Sequence, residues 1–145
     1  MLSTLAWQRM HALNIEMWSA TNRLPAHRDF DFRDELRDAA DSAERNIAEG
    51  FGRFSPGDFA RFLDISRASA LETKTLLNKG HSIGYWSEME WRRLDQLADR
   101  GLQVVAKFQR YLRSPQAKHN AARRYKGGGG RKKMQNANVP NDPNA

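Results

Sequence analysis

The sequence predicts an all-α protein, an antiparallel up-down-up-down four-helix bundle followed by a disordered basic C-terminal tail. Three observations predict it. Four segments carry apolar residues at alternating steps of three and four, which holds them on one helix face. Short stretches rich in Pro, Gly and Ser separate the segments, and short connections make antiparallel neighbours. No segment sustains the polar–apolar alternation of a strand. The 145 residues divide into a bundle, 1–113, and a Gly-rich flexible tail, 114–145, and the first part is long enough to bury a core.

The spacing predicts a first helix over residues 4–24, with Ala6, Met10, Leu13, Met17, Ala20 and Leu24 inward. Pro25 stops it, because a proline disfavours helical geometry at the residue before it. A second helix spans 30–50 with the stripe Phe32, Leu36, Ala39, Ala40, Ala43 and Ile47. Its small centre lets a neighbouring backbone approach closely. Ser55-Pro56-Gly57-Asp58 opens the third helix: serine suits the N-cap, proline the first helical position, and an acid the positive dipole end. Its stripe is Phe59, Phe62, Leu63, Ser66, Ser69, Thr73, Leu76 and Leu77, with Ser66 and Ser69 expected to face Ala39, Ala40 and Ala43. Gly80 and Gly84 are the expected stops. Ser87 to Glu90 reads as a capping box, and the fourth helix carries Trp91, Leu94, Ala98, Gly101, Val105, Phe108 and Leu112. Gly101 inside that stripe points to a close helix crossing. Past Ser114-Pro115 the pattern dissolves; Lys118 to Lys126 leave room for a helical turn, Gly127 to Gly130 is a flexible joint, and the Asn- and Pro-rich end is expected to be disordered.

Charge follows the same division. Residues 1–113 hold 17 Lys+Arg against 16 Asp+Glu, a net +1, whereas 114–145 hold 7 against 1, a net +6. The near-neutral body is expected to contribute little to any polyanion binding, and the tail much. Without cysteine there are no disulfides, thiolate metal sites or cysteine nucleophiles. No apolar run approaches the roughly 18 residues of a membrane span, and no charged-then-apolar leader is present, which predicts the cytoplasm. His11, His27, His81 and His119 lie neither at ligand spacing from one another nor three residues after an acid, so the Glu-x-x-His pairs of di-iron bundles are missing. There is no phosphate loop of the Gly-x-x-x-x-Gly-Lys-Ser/Thr type. The expectation is a non-enzyme with no metal and no cofactor.

The corner between the second and third helices, Asn46-Ile47-Ala48-Glu49-Gly50-Phe51-Gly52-Arg53, is the stretch around which the bundle is organised. Asn46, Glu49, Gly50, Gly52 and Arg53, with Glu72 from the third helix, form the candidate structural motif. Glu49 next to Arg45 and Arg53 suits a surface ion pair worth a few tenths of a kcal/mol. Glu72 lies beside the inward stripe. A buried acid there needs partners, which Asn46 or the amides of the Gly50–Gly52 corner could supply.

This corner, with Phe59-x-x-Phe62-Leu63-x-Ile65 and Ala68-Ser69-x-x-Glu72, resembles the four-helix-bundle family named for the 23S rRNA intervening sequence protein. The Trp7 helix, Leu24-Pro25, Leu36-x-x-Ala39-Ala40-x-Ser42 and Ile83-Gly84-Tyr85 fit the resemblance, which covers about residues 5–112. Distant relatives are accessory proteins of diversity-generating retroelements, in which a homopentameric barrel binds a reverse transcriptase and nucleic acid. The resemblance therefore implies a self-associating, RNA- or DNA-associated accessory protein, with a homopentamer and a reverse transcriptase as expected partners. Trp7, Trp18, Leu97, Val104 and Tyr111, outside the inward stripes, are the expected subunit contacts. In the tail, Arg123, Arg124, Tyr125, Lys126, Arg131, Lys132 and Lys133 are the candidate nucleic-acid contacts: cations for phosphates and one ring for base stacking. The alternative is a protein-interaction scaffold with no nucleic-acid role.

Overall fold

The computed structural model describes residues 1–53 and 55–126, with side chains through Arg123. Among the described residues the chain is helical, with no strand: α1 (Leu2–Thr21), a 3-10 turn (Ala26–Arg28), α2 (Phe30–Phe51), α3 (Pro56–Ser82), α4 (Glu88–Leu112) and α5 (Pro115–Lys126). No helix in this set is long and apolar enough to cross a membrane.

Local chemistry accounts for most of the boundaries. α1 stops at Thr21, before the expected Leu24. The Thr21 hydroxyl turns back to the Met17 carbonyl at 2.7 Å, and Arg37 of α2 donates to Thr21 Oγ1 at 2.8 Å. Leu24 is exposed, so no core burial rewards a longer helix, and Pro25 opens the 3-10 turn instead. Asp29 caps α2 by accepting from the Phe32 amide, and Ser55 caps α3 by accepting from the Asp58 amide. Ser87 accepts from the Glu90 amide at 3.1 Å, but the reciprocal half of the expected capping box is absent: the Glu90 carboxylate pairs with Arg23, just past α1.

α3 runs straight through Gly80, an expected stop. Only Gly84, at φ +85°, adopts the left-handed conformation that ends the segment. Gly80 is needed for space: a β-carbon there would lie 2.6 Å from Trp86 Cε3 and 2.7 Å from Cη2. Trp86 is buried in that slot and flanked by Phe32 and Tyr85.

The long helices form a helical bundle in which α1 packs on α2 and α4, and α3 packs on the same two. Side-chain pairs fix the directions. Glu16 near the end of α1 meets Arg93 near the start of α4, and Asp64 near the start of α3 meets Arg113 just past α4. The shared core includes Met10, Leu13, Met17, Leu36, Ile47, Leu63, Leu77, Leu94 and Val105, all fully buried. Each such side chain contributes roughly 1.5–3 kcal/mol relative to exposure. Ser66 and Ser69 do face the small stripe of α2: Ser66 Oγ donates to the Ala43 carbonyl at 2.6 Å, and Ser69 Oγ lies 2.7 Å from Ser42 Oγ. Gly101 sits where α4 crosses α1, with Met10 Sδ 2.8 Å from where a β-carbon would be.

Residues 115–126, where a helical turn was expected over 118–126 at the start of the tail, are helical throughout. Ser114 Oγ accepts from the Ala117 amide at 3.3 Å, Pro115 takes the first position, and α5 docks on α3 and α4 with Ala117 buried.

Candidate functional site

The α2–α3 corner is built from space and hydrogen bonds rather than from reactive groups. Asn46 Nδ2 donates to the Ser42 carbonyl at 2.9 Å and to Ser42 Oγ at 3.1 Å; Ser42 in turn meets Ser69. This half-buried chain ties the last turns of α2 to the middle of α3. Gly50 is buried against the ring of Phe59, which no side chain at position 50 would allow. Phe59 in turn packs on Phe51 at 5.2 Å and edge-on to Phe108 at 4.9 Å, so the glycine sets how closely α2, α3 and α4 meet at this end. Gly52 is the C-cap, at an ordinary φ of −76°. Arg53 Nη2 donates to Glu49 Oε1 at 2.8 Å, and its guanidinium lies over the Phe62 ring at 4.5 Å. That pair is exposed.

Glu72 does not join this group. It is exposed, and the register set by Ser66–Ala43 and Ser69–Ser42 puts it near the level of Asp38, away from the corner. The reason is angular. Ser69, Ala70, Thr73, Leu76 and Leu77 take the buried arc of α3, and position 72 falls just outside it with Leu71 and Thr75. The expected partners, Asn46 and the corner amides, are therefore not its partners.

Two polar clusters were not anticipated. Along the α1–α2 seam, Glu44 accepts from Asn14 Nδ2 at 2.8 Å and lies 3.0 Å from His11 Nδ1; Trp18 Nε1 donates to Asp41 at 3.2 Å, and Arg37 covers the Trp18 ring at 4.2 Å. Between α3 and α4, Lys74 pairs with Asp99 and lies 3.5 Å from Asp95. The hydrogen bond to Asp99 leads in raising the Lys74 pKa, desolvation opposes it, and the charge of Asp95 adds to the rise. Among the described residues no three His, Cys, Asp or Glu side chains converge as a metal site.

Of the expected subunit contacts, Trp7 is buried within this chain and stacked on His11 at 4.7 Å, so it is not free to meet a second copy. Leu97 and Val104 are half-buried against the core, while Trp18 and Tyr111 stay exposed. Of the expected nucleic-acid contacts, Arg123 is exposed on α5, and Arg124, Tyr125 and Lys126 continue that helix. Arg131, Lys132 and Lys133 lie outside the described residues.

Regional sums concealed how the charge of the body is arranged. Asp31, Asp34 and Asp38 share one exposed line of α2, and Arg93, Arg100, Lys107 and Arg110 share one exposed line of α4. The signal was present as charge at helical spacing. A net of +1 over the body averages it away.

A family model described as 23S rRNA-intervening sequence protein matches residues 3–107 of the chain. No curated protein matches it.

Proposed function

The chain belongs to the 23S rRNA-intervening sequence protein family, and we propose that it is a non-enzymatic, self-associating accessory protein that binds RNA or DNA without reading sequence. In this reading the long helices form an up-down-up-down four-helix bundle, copies of which assemble into a ring, a pentamer, in the cytoplasm. A reverse transcriptase is the proposed protein partner. The observation that carries the reading is the concentration of cations beyond the fourth helix: seven Lys and Arg against one Asp over 114–145. α5 fixes the first of them against the bundle as an exposed surface, where Lys118 and Arg123 meet solvent. Cations in that density neutralise phosphates whatever the base sequence, and the resulting affinity falls steeply with salt.

The test is a salt titration of the full chain on a labelled single-stranded RNA, beside a full-length variant with Arg123, Arg124, Lys126, Arg131, Lys132 and Lys133 changed to Gln. Binding that weakens with salt in the native chain, and a flatter slope in the variant, are expected. Equal slopes would remove the tail from the binding surface, and an absence of binding at low salt would remove the nucleic-acid role. Light scattering at micromolar concentration tests self-association separately, with a monomer mass as the contrary result.

A second reading, a protein-interaction scaffold, draws on the exposed apolar residues of α1 and α3. Ile15 is 54% exposed, Ile65 45% and Leu71 47%, and such side chains suit a protein partner better than phosphate. Binding to a helical partner with no affinity for RNA at low salt would favour it.

A further inference from the structure

Between Arg100 and Lys126 the chain carries eight cations and not one Asp or Glu. Part of this run belongs to α5, but it begins inside the bundle. On α4, Arg93, Gln96, Arg100, Gln103, Lys107 and Arg110 recur at steps of three and four, and all six are exposed. Arg93 is held by Glu16 at 3.0 Å. Arg100, Lys107 and Arg110 have no carboxylate within ion-pair distance among the described residues; the nearby acids are engaged elsewhere, Asp99 with Lys74 and Asp64 with Arg113. A cation in the last turn complements the helix dipole, which accounts for Arg110. It does not account for Arg100 in mid-helix or for Lys107, and the intervening Gln96 and Gln103 add donors without adding negative charge.

The line from Arg100 to Arg110 is about 15 Å long at the helical rise. α5 docks on α3 and α4 just past the line's C-terminal end and carries Lys118 and Arg123 exposed. The acidic line of α2 lies on the helix across the bundle, since α2 and α4 flank the same two neighbours. The body is therefore neutral in sum and polar in arrangement. One side is matched to a polyanion.

We propose that the outward stripe Arg100–Lys107–Arg110 of α4 binds the phosphodiester backbone of a nucleic-acid strand, as the bundle's own part of the binding surface. This rests on the nucleic-acid reading above and places part of that site on α4. The cations of this line contact phosphates, which RNA and DNA share, while the exposed ring of Tyr111 at its C-terminal end offers a face on which a base can stack; RNA and DNA strands of one sequence should therefore respond alike to loss of the cations.

The experiment compares the full chain with a full-length Arg100→Gln/Lys107→Gln/Arg110→Gln variant, by salt titration on a labelled single-stranded RNA and the matching DNA. Three lost phosphate contacts at about 0.7 each should flatten the slope of log affinity against log salt by about 2. Circular dichroism and light scattering on the same samples should be unchanged, because all three side chains are exposed. An unchanged slope in the stripe variant, with a flattened slope in the α5 and tail variant, would overturn this proposal and leave the nucleic-acid reading standing. A changed particle mass with an unchanged slope would make the stripe a contact between copies and overturn it too. If the native chain binds neither strand at low salt, the nucleic-acid reading itself fails, and the stripe with it.

Discussion

Gly80→Ala and Gly101→Ala make the same chemical change on two helices, and the packing predicts that they differ in stability. Both lie in helix interiors, where Ala is favoured over Gly by about 1 kcal/mol. At Gly80 the new methyl meets three ring atoms of Trp86, two of them at 2.6 and 2.7 Å. That ring is 5% exposed and boxed by Phe32 at 5.8 Å, so it has nowhere to retreat without leaving its slot. Overpacking of this kind costs about 1–3 kcal/mol, and full loss of a buried tryptophan about 3–5 kcal/mol. Overlap with three ring atoms puts the cost at the upper end of the overpacking range, about 3 kcal/mol, so after the gain in propensity Gly80→Ala should destabilise the protein by about 2 kcal/mol. At Gly101 the obstacle is the end of Met10, with Sδ at 2.8 Å and Cε at 3.0 Å. A thioether on three rotatable bonds can swing away, so Gly101→Ala should stay within about 1 kcal/mol of wild type. Urea unfolding followed by circular dichroism gives both values, with the midpoint carrying the change if the slope is constant. A Gly80→Ala variant as stable as wild type, or a Gly101→Ala variant destabilised as much as Gly80→Ala, would contradict this.

The remaining predictions concern packing and charge. Ala40 is fully buried in the small stripe of α2, so Ala40→Leu should lower stability by about 1–3 kcal/mol; a melting temperature unchanged within error would place it away from a tight contact. Ser66→Ala removes a 2.6 Å buried hydrogen bond to the Ala43 carbonyl and should cost about 1 kcal/mol, read from the urea midpoint. The Lys74 pKa is raised in the folded state, so its contribution to stability is fully present below the ordinary lysine range and is lost as pH rises through the folded value. Lys74→Met should therefore be less stable than wild type at neutral pH, with the gap narrowing in strongly alkaline solution; a gap that does not change with pH would contradict this.

Much of the bundle was legible because its signals are local. Helix caps at Ser55 and Ser87, the three-four stripes, and the small residues of α2 facing Ser66 and Ser69 each depend on spacing within one or two helices. What escaped depends on contacts between distant residues or on angle. Gly80 has the appearance of a stop until Trp86 is seen to occupy the space it leaves. Glu90 completes the pattern of a capping box, yet Arg23 draws its carboxylate away across the bundle. Trp7 sits at the edge of its stripe in a helical projection, but its ring folds inward and stacks on His11. Glu72 missed the buried arc by a single position. α5 was legible as no more than a turn over 118–126 because its apolar content is low: Ala117 anchors it and a Ser-Pro start sets its boundary. At the candidate site, composition located the cations of the tail, while the stripe of α4 is visible only once outward positions are separated from inward ones.

Whether a nucleic-acid strand lies along α4 and α5 is settled by ultraviolet crosslinking of a bound, photoreactive RNA followed by mapping of the modified peptides. A strand held there gives crosslinks on peptides spanning residues 93–126, lost as salt is raised. Crosslinks confined to the acidic line of α2 or to the exposed face of α3, or none at low salt, would contradict it.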